Sequence, residues 1–302
     1  MNAHHDLPAE DTVRALLQAI APGSTLVAVR PLAGSYSNYT HLVELDPPQG
    51  KRTRIVIRRY AESGGDRAQK ARLEYQTLAW LQKHDVPVPR PLYLDETGAL
   101  LGSPGIVTGY VPGKQVLSPA DPRRWARALA HMLARIHSLP VEEARGFLLD
   151  ANSEVVWFLH RGIVPDYMEA HPDGAALWQA VHDRQPHLQP VPPTLVHIDY
   201  WPGNILWVRG RISAVVDWEE AACGDPGIDV AYCRMEMILG GLGQAAAEFL
   251  HAYEAERGPV ANLDFWALAA AVRPMIDPES WRLTDPAVNE RLRGLIASAL
   301  RR

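Results

Sequence analysis

Apolar residues recur with period two over the first third of this chain and with helical spacing over most of the rest. That distribution outlines a small β-rich lobe, a hinge, and a larger α-rich lobe. "STLVAVRPL", "YTHLVEL" and "RIVIRRY" are β-branched, partly alternating runs, parted by the turn signals "AGSYSN" and "DPPQGK". One helix is predicted among them, from about Asp66 to His84, with Glu74, Leu78 and Leu81 on one face. Pro87 and Pro89 close it, because the residue before a proline is pushed out of the helical region. "LYLDE" and "GIVTGYV" supply two more strands, and "PGK" reads as the hinge. Beyond it, "SPADPRRWARALAHMLARIHSL" starts on a Ser-Pro signal and places Leu129, Leu133 and Ile136 on one stripe. "LWQAVHD", "AAAEFLHAYEAERG", "NLDFWALAAAV" and "AVNERLRGLIASAL" are further helices, and a strand pair, "NILWV" and "ISAVVDW", is set among them around the turn "RGR". The predicted class is α+β, with an N-terminal lobe over residues 1–109 and a C-terminal lobe over residues 110–302.

Bulk properties narrow the function. A chain of 302 residues suffices for two domains or one large domain with a lobe attached. Its net charge of −5 argues against a nucleic-acid coat, and the basic cluster Lys51-Arg52-Thr53-Arg54 is a solvated hairpin end. Cys223 and Cys233 form neither a secreted-type disulfide framework nor a zinc-ligand spacing. The polar start "MNAHHDLPAEDT" lacks the apolar core of a signal peptide, and no apolar run reaches the roughly 18 residues that a membrane span needs. The expectation is a soluble cytoplasmic protein that binds neither nucleic acid nor membrane; its oligomeric state is left open.

The chemistry concentrates in "HIDYWPGN", residues 197–204, which lies just before the strand pair. Asn204 stands at the start of the first strand and Asp217 at the end of the second, so antiparallel pairing is expected to bring them to one end of the ribbon. An amide oxygen beside a carboxylate is a hard-oxygen pair suited to Mg²⁺. Asp199, one tight turn away, is free to meet a substrate. Two metal ligands and a carboxylate that aligns an attacking hydroxyl are what phosphoryl transfer requires.

"HIDYWPGN" followed by "VVDWEEAACGDPGIDVA" resembles the signature of the aminoglycoside phosphotransferase family, relatives of the protein kinases, with Val230 standing where the family often has leucine. The resemblance implies a bilobal protein-kinase-like fold and an enzyme that moves a phosphoryl group from ATP or GTP, with Mg²⁺, to a small-molecule alcohol. It makes Asp199 the catalytic aspartate, Asn204 and Asp217 the metal ligands, His197 a loop anchor, and Asp229 a brace under the loop. Other parts follow by the same comparison. Gly34, Ser35, Ser37 and Asn38 in "AGSYSN" would cover the phosphates. Arg58 would be the strand cation, chosen over Arg59 by pleat parity in place of the family's usual lysine. Glu74 would pair with that cation, and Thr108 and Tyr110 would border the base. His137 matches a helix-end histidine of the family whose role is packing.

The acceptor is less determined. Family members phosphorylate aminoglycosides, macrolides, choline-like amines, homoserine and sugars, so antibiotic resistance is among the implied roles. Residues 219–264 carry nine acidic side chains, Glu219, Glu220, Asp225, Asp229, Glu236, Glu248, Glu254, Glu256 and Asp264, against Arg234 and Arg257. That excess favours a cationic hydroxylated acceptor. The apolar stretch "YCRMEMILGGLG" and Trp266 suit a macrolide instead. A nucleotide-binding sensor without transfer activity, and a metal-dependent hydrolase built on His197, Asp199 and Asp217, are the alternatives from other classes.

Overall fold

The computed structural model describes residues 7–32, 38–62 and 65–301. They group into two compact units. One takes the described residues up to Gly113 together with Leu206–Glu220; the other takes Lys114–Ile205 and the chain from Ala221 onward.

The first unit is built on five strands, β1 (Thr25–Pro31), β2 (Tyr39–Asp46), β3 (Thr53–Arg59), β4 (Pro91–Asp95) and β5 (Gly105–Gly109), in the order β1-β2-β3-β5-β4. Every neighbouring pair in this sheet is antiparallel. Alternation along β3 sends Ile55 and Ile57 into an apolar cluster with Val43, Leu45 and Val107, and leaves Val56 and Arg58 with the opposite parity. Helix α1 (Glu10–Ile20) covers that cluster through Val13, Leu16 and Leu17. The sequence predicts a single helix in this region; α1 is a second one, and its three buried residues fall at i, i+3 and i+4. Helix α2 (Arg67–Lys83) begins where the Asp66 side chain accepts from the Gln69 amide, an N-cap, and it buries Glu74, Leu78 and Leu81. Gly105 lies opposite Arg59, and a Cβ there would stand 2.4 Å from the Arg58 carbonyl oxygen, so this crossing of β3 and β5 admits only glycine without a backbone shift.

The second unit is mainly helical. Helix α3 (Pro122–His137) buries Leu129, Leu133 and Ile136. Short β6 (Leu149–Asp150) precedes α4 (Ala151–Glu154), α5 (Asp166–Glu169) and α6 (Gly174–Arg184). Strand β7 (Thr194–Val196) leads into residues 197–204; the two-stranded ribbon that follows, β8 (Ile205–Val208) and β9 (Arg211–Val215), belongs from Leu206 onward to the first unit. A three-stranded sheet, β6-β10-β7, is completed by β10 (Ala222–Gly224). Helices α7 (Gly227–Leu239), α8 (Gly243–Arg257), α9 (Leu263–Ala270), α10 (Arg273–Ile276) and α11 (Pro286–Leu300) follow. Helix α7 was not foreseen: it is buried on nearly every face, so no polar stripe marks its period. The single cut at residue 110 also differs from these units, because Leu206–Glu220 groups with the sheet. Backbone contacts show why: the Val215 amide donates to the Pro87 carbonyl at 2.8 Å, and the Ser213 hydroxyl donates to the Pro112 carbonyl at 2.9 Å.

What holds the loop of residues 197–204 is one carboxylate. Asp229, on the first turn of α7 and fully buried, accepts from the amides of His197 and Ile198, each at 2.8 Å. It also bonds His137 Nε2 at 3.1 Å, tying α7 to the end of α3. Ile198 is held at φ 67, a left-handed conformation that a β-branched residue rarely adopts. The Tyr200 hydroxyl adds a second anchor, donating to the Leu129 carbonyl at 2.8 Å. Exchanging Asp229 for asparagine puts an amide NH₂ against groups that are already donors. Asp229→Asn is expected to lower stability by about 1–3 kcal/mol for each buried donor left unpaired, and to speed hydrogen exchange at the His197 and Ile198 amides. Denaturant melts and exchange measurements check both effects, and unchanged exchange at those amides would count against the clamp.

Candidate active site

The site residues fall into two groups, one in each unit. In the second unit, the side chain of Asp199 is 28% exposed while its loop is buried around it. Asn204 Nδ2 donates to both the Asp199 carbonyl (2.9 Å) and Asp199 Oδ2 (2.8 Å). The Asn204 amide nitrogen therefore faces Asp199 and its oxygen points the other way, the orientation a hard-oxygen metal ligand needs. Gly203 permits the turn: a Cβ there would stand 2.2 Å from the Trp201 ring. His197 is buried with its ring edge-on to Tyr200 at 6.1 Å, so it packs the inner side of the loop. His137 bonds Tyr253 (2.7 Å) as well as Asp229, a buried structural position.

Three residues around Asp199 were not foreseen as a group. Arg273, at the start of α10, meets Asp199 Oδ1 through Nη1 at 3.0 Å. Its guanidinium lies 4.5 Å from the centre of the Tyr232 ring, and the Tyr232 hydroxyl donates to Glu236 Oε1 at 3.2 Å. Burial, reinforced by the Asp199 charge, pushes the Glu236 carboxyl up to about 8, so it is largely protonated at neutral pH. Burial and the Asp199 charge likewise push the Tyr232 phenol well above its ordinary value. Arg273 had a legible signal: it is the one charged residue in the run "FWALAAAVRPMI", where a charge needs a partner.

In the first unit, Arg58 is the centre. Its Nη2 bonds Asp217 Oδ1 at 2.5 Å and Glu219 Oε2 at 2.9 Å, and its Nε lies 3.6 Å from Glu74 Oε2. Burial works against the guanidinium charge, but Asp217, Glu74 and Glu219 outweigh it and push the Arg58 pKa further up. Glu74 is raised in turn, by burial first, with Arg58 opposing. The Tyr60 hydroxyl hydrogen-bonds Glu74 from the other side. Arg59, of the opposite parity, is buried with its guanidinium 5.4 Å from the Tyr39 ring centre. Asp217 follows β9 at φ 70, a left-handed turn that aspartate tolerates, and its side chain is 31% exposed.

Glu219 belongs to this cluster. It also accepts from Asn38 Nδ2 (2.6 Å) and lies 3.6 Å from Lys70 Nζ, a second cation that the sequence reading did not single out. Asn38 is buried there; Gly34, Ser35 and Ser37 lie outside the described residues. Thr108 is buried on β5. The amides of Gly109 and Tyr110 donate to the carbonyls of Arg90 (2.8 Å) and Arg54 (3.1 Å), so these two N–H groups serve the strand edge. Among the described residues no three His, Cys, Asp or Glu side chains form a metal cage. A cation carried on substrate phosphates needs only one or two protein oxygens, and an amide oxygen such as that of Asn204 in the one unit, or a carboxylate such as Asp217 in the other, has the right chemistry for it.

Comparison with known proteins agrees with this geometry. The family model described as "Phosphotransferase enzyme family" matches residues 28–266. The aminoglycoside 3'-phosphotransferase of Streptomyces fradiae is 30% identical over 210 residues, 65% of this chain and 76% of that protein. Acyl-CoA dehydrogenase family member 10 of Mus musculus is 30% identical over 180 residues, 55% of this chain; the chain spans only 17% of that longer protein. The fold is also that of APH(2")-IIia, solved as its GDP and kanamycin complex, with a TM-score of 0.62 at 19% identity over 94% of this chain and 96% of that one. With a β-sheet unit, a helical unit and most of its length matched, the chain belongs to the phosphotransferase enzyme family and has that family's α+β, kinase-like fold.

Proposed function

We propose that this protein is a nucleoside-triphosphate-dependent O-phosphotransferase that moves the γ-phosphoryl group of ATP or GTP to a hydroxyl of a small molecule. The loop of Asp199 carries the reading: a partly exposed carboxylate on strained backbone, held by Asp229 and Asn204. The fold likeness to a GDP-binding and kanamycin-binding enzyme supports a purine nucleotide donor and a hydroxylated acceptor. The sheet unit is then the nucleotide-binding lobe, with Arg58 and the segment through Asn38 toward the phosphates and Thr108 and Tyr110 toward the base. The helical unit carries the acceptor. No helix among the described residues is long and apolar enough to cross a membrane.

In the reaction the acceptor hydroxyl donates a hydrogen bond to the Asp199 carboxylate, which orients a lone pair at the γ-phosphorus. The new O–P bond forms as the bond to the β,γ-bridging oxygen breaks; the hydroxyl proton passes to Asp199 and the nucleoside diphosphate leaves. Arg58 neutralises phosphate charge, and its carboxylate partners fix its position. Asn204 and Asp217 are the residues that would hold Mg²⁺, which when bound supplies further neutralisation of the triphosphate.

The acidic excess over residues 219–264 takes another meaning in the structure. Glu219 bonds Arg58 and Asn38; Asp225 accepts from Asn262 and the Gly227 amide; Asp229 clamps the loop. Glu248 pairs with Arg127, Glu256 with His131, and Glu254 accepts from the Val260 amide. Glu220 and Asp264 are engaged as well, and Glu236 is largely neutral at pH 7. The count of carboxylates therefore gives little support to a cationic acceptor.

Asp199→Asn should reduce turnover by at least 100-fold, on the scale of a lost general base, while nucleotide affinity stays near wild type. Asp217→Ala should instead weaken Mg²⁺-nucleotide binding, and calorimetric titration beside a diphosphate-release assay separates the two. Wild-type turnover in Asp199→Asn would refute the assignment. Arg58→Ala should weaken triphosphate binding more than Arg59→Ala, because only Arg58 lies in the carboxylate cluster; equal effects in a nucleotide titration would contradict this.

Glu236 gives a pH signature. Its folded-state pKa, about 8, lies above the ordinary 4.5, so between those values the folded protein holds a proton that the unfolded chain has lost. Its contribution to stability therefore declines as pH rises through that window and is fully unfavourable above it. Glu236→Gln removes the penalty while Asp199, Tyr232 and Arg273, the groups facing it, remain. The variant's stability relative to wild type should improve by a few kcal/mol between pH 4.5 and 8, read from denaturant melts at each pH. A difference that does not change with pH would refute it.

A further inference from the structure

The carboxyl of Glu236 has no part in the transfer itself, yet it stands beside Asp199. It lies one helical turn beyond Tyr232 on α7. The Tyr232 hydroxyl stands between the two acids, donating to Glu236 Oε1 at 3.2 Å and also interacting with Asp199. The other oxygen, Oε2, has no partner among the described residues and is not sealed from solvent. Tyr232, Asp199 and Arg273 are the titratable and charged groups that act on this carboxyl; among the described residues none from α8, α9 or α11, the helices packed on α7, does so. Burial and the Asp199 charge hold Glu236 largely protonated at neutral pH, and Oε1 is the oxygen that accepts, so the proton belongs on Oε2. One open O–H donor therefore faces the surroundings of the Asp199 carboxylate. An ammonium could pair there only if Glu236 ionised, which would set a second negative charge beside Asp199. A hydroxyl, ether or carbonyl oxygen takes the proton as it stands.

We infer that Glu236 is an acceptor-binding residue whose Oε2 hydrogen-bonds an uncharged oxygen of the acceptor, a hydroxyl, ether or carbonyl, a few bonds from the hydroxyl that is phosphorylated. This rests on the phosphotransferase reading and names its substrate class: a molecule with several oxygen functions, neutral where it meets Glu236. Two contacts orient the acceptor, Asp199 taking the proton of the reacting hydroxyl and Glu236 fixing the neighbouring oxygen. Tyr232 is a positioning residue, since its hydroxyl sets which oxygen of Glu236 stays open. The contact needs the carboxyl proton, so acceptor binding weakens as pH rises through about 8.

The test is nucleoside diphosphate release with Mg²⁺-ATP and Mg²⁺-GTP against polyols and sugars, macrolides, aminoglycosides, amino alcohols and simple monohydric alcohols. Nucleotide binding is titrated in parallel. Turnover is expected with an acceptor that carries a second oxygen function. For that acceptor, Glu236→Leu should raise KM at least 10-fold with a smaller change in kcat. Glu236→Gln, which keeps an acceptor for Tyr232 and a donor at the open position, should recover most of that loss. Melting temperatures of both variants confirm that they fold. Relative to Glu236→Gln, the wild-type kcat/KM for the acceptor should fall about 10-fold between pH 7 and pH 9, as a group of pKa about 8 loses its proton. A wild-type value that instead rises over this range, with Glu236→Gln no better than Glu236→Leu, marks an ionised Glu236 paired with an ammonium and overturns the inference. An acceptor KM unmoved in Glu236→Leu overturns it too, as does nucleotide binding without turnover of any acceptor bearing a second oxygen; both leave the phosphotransferase reading intact. Failure to bind nucleotide at all instead removes the phosphotransferase reading on which it stands.

Discussion

A single buried carboxylate, Asp229, determines where the loop that carries Asp199 stands. The amides of His197 and Ile198 point inward from a loop whose left-handed turn falls on a β-branched residue, a conformation that local preference disfavours. Two charge-assisted bonds to one buried acceptor outweigh that preference. The same carboxylate reaches His137 at the end of α3, so the loop is registered against two helices at once. Tyr200 repeats the device one residue beyond Asp199, by hydrogen-bonding the Leu129 carbonyl. Asp199 is thus flanked by fixed points, and Asn204 secures one of its two oxygens.

The sheet unit handles charge differently. Arg58 lies among Asp217, Glu219 and Glu74, and Lys70 adds a second cation near Glu219. Breaking any one of these pairs would leave a charge without compensation in a partly buried setting, so the cluster resists piecemeal change. It also explains the grouping of Leu206–Glu220 with the sheet: Asp217 and Glu219 are supplied by that segment. An arginine suits this position because its planar fork can meet more than one carboxylate at a time, which a lysine ammonium does less well.

Around Asp199, local charge composition and local charge environment point in opposite directions. Residues 219–264 are acidic by count, yet most of those carboxylates have partners inside the protein, and the charge nearest Asp199 is the Arg273 cation. A count along the chain weighs every side chain equally. The field at a reacting group depends on distance and on what is already neutralised.

Much of this protein was legible before any coordinates. Alternation and turn signals marked β1 to β5; the spacing of Glu74, Leu78 and Leu81 marked α2; the run from His197 to Asn204 with Asp217 and Asp229 marked the candidate site. These are local signals, written in period, turn residues and short spacing. Helix α7 escaped because burial on nearly all sides erases the polar face by which a helix is recognised. Arg273 beside Asp199, and Asp217 beside Arg58, escaped for another reason: Arg273 is 74 residues from Asp199 along the chain, and Asp217 is 159 residues from Arg58. The sequence by itself determined which residue types are available and which segments become strands and helices. Only the tertiary structure decided which charges meet, because pairing between remote side chains is set by the packing of the elements that carry them, and no periodicity in the chain records it.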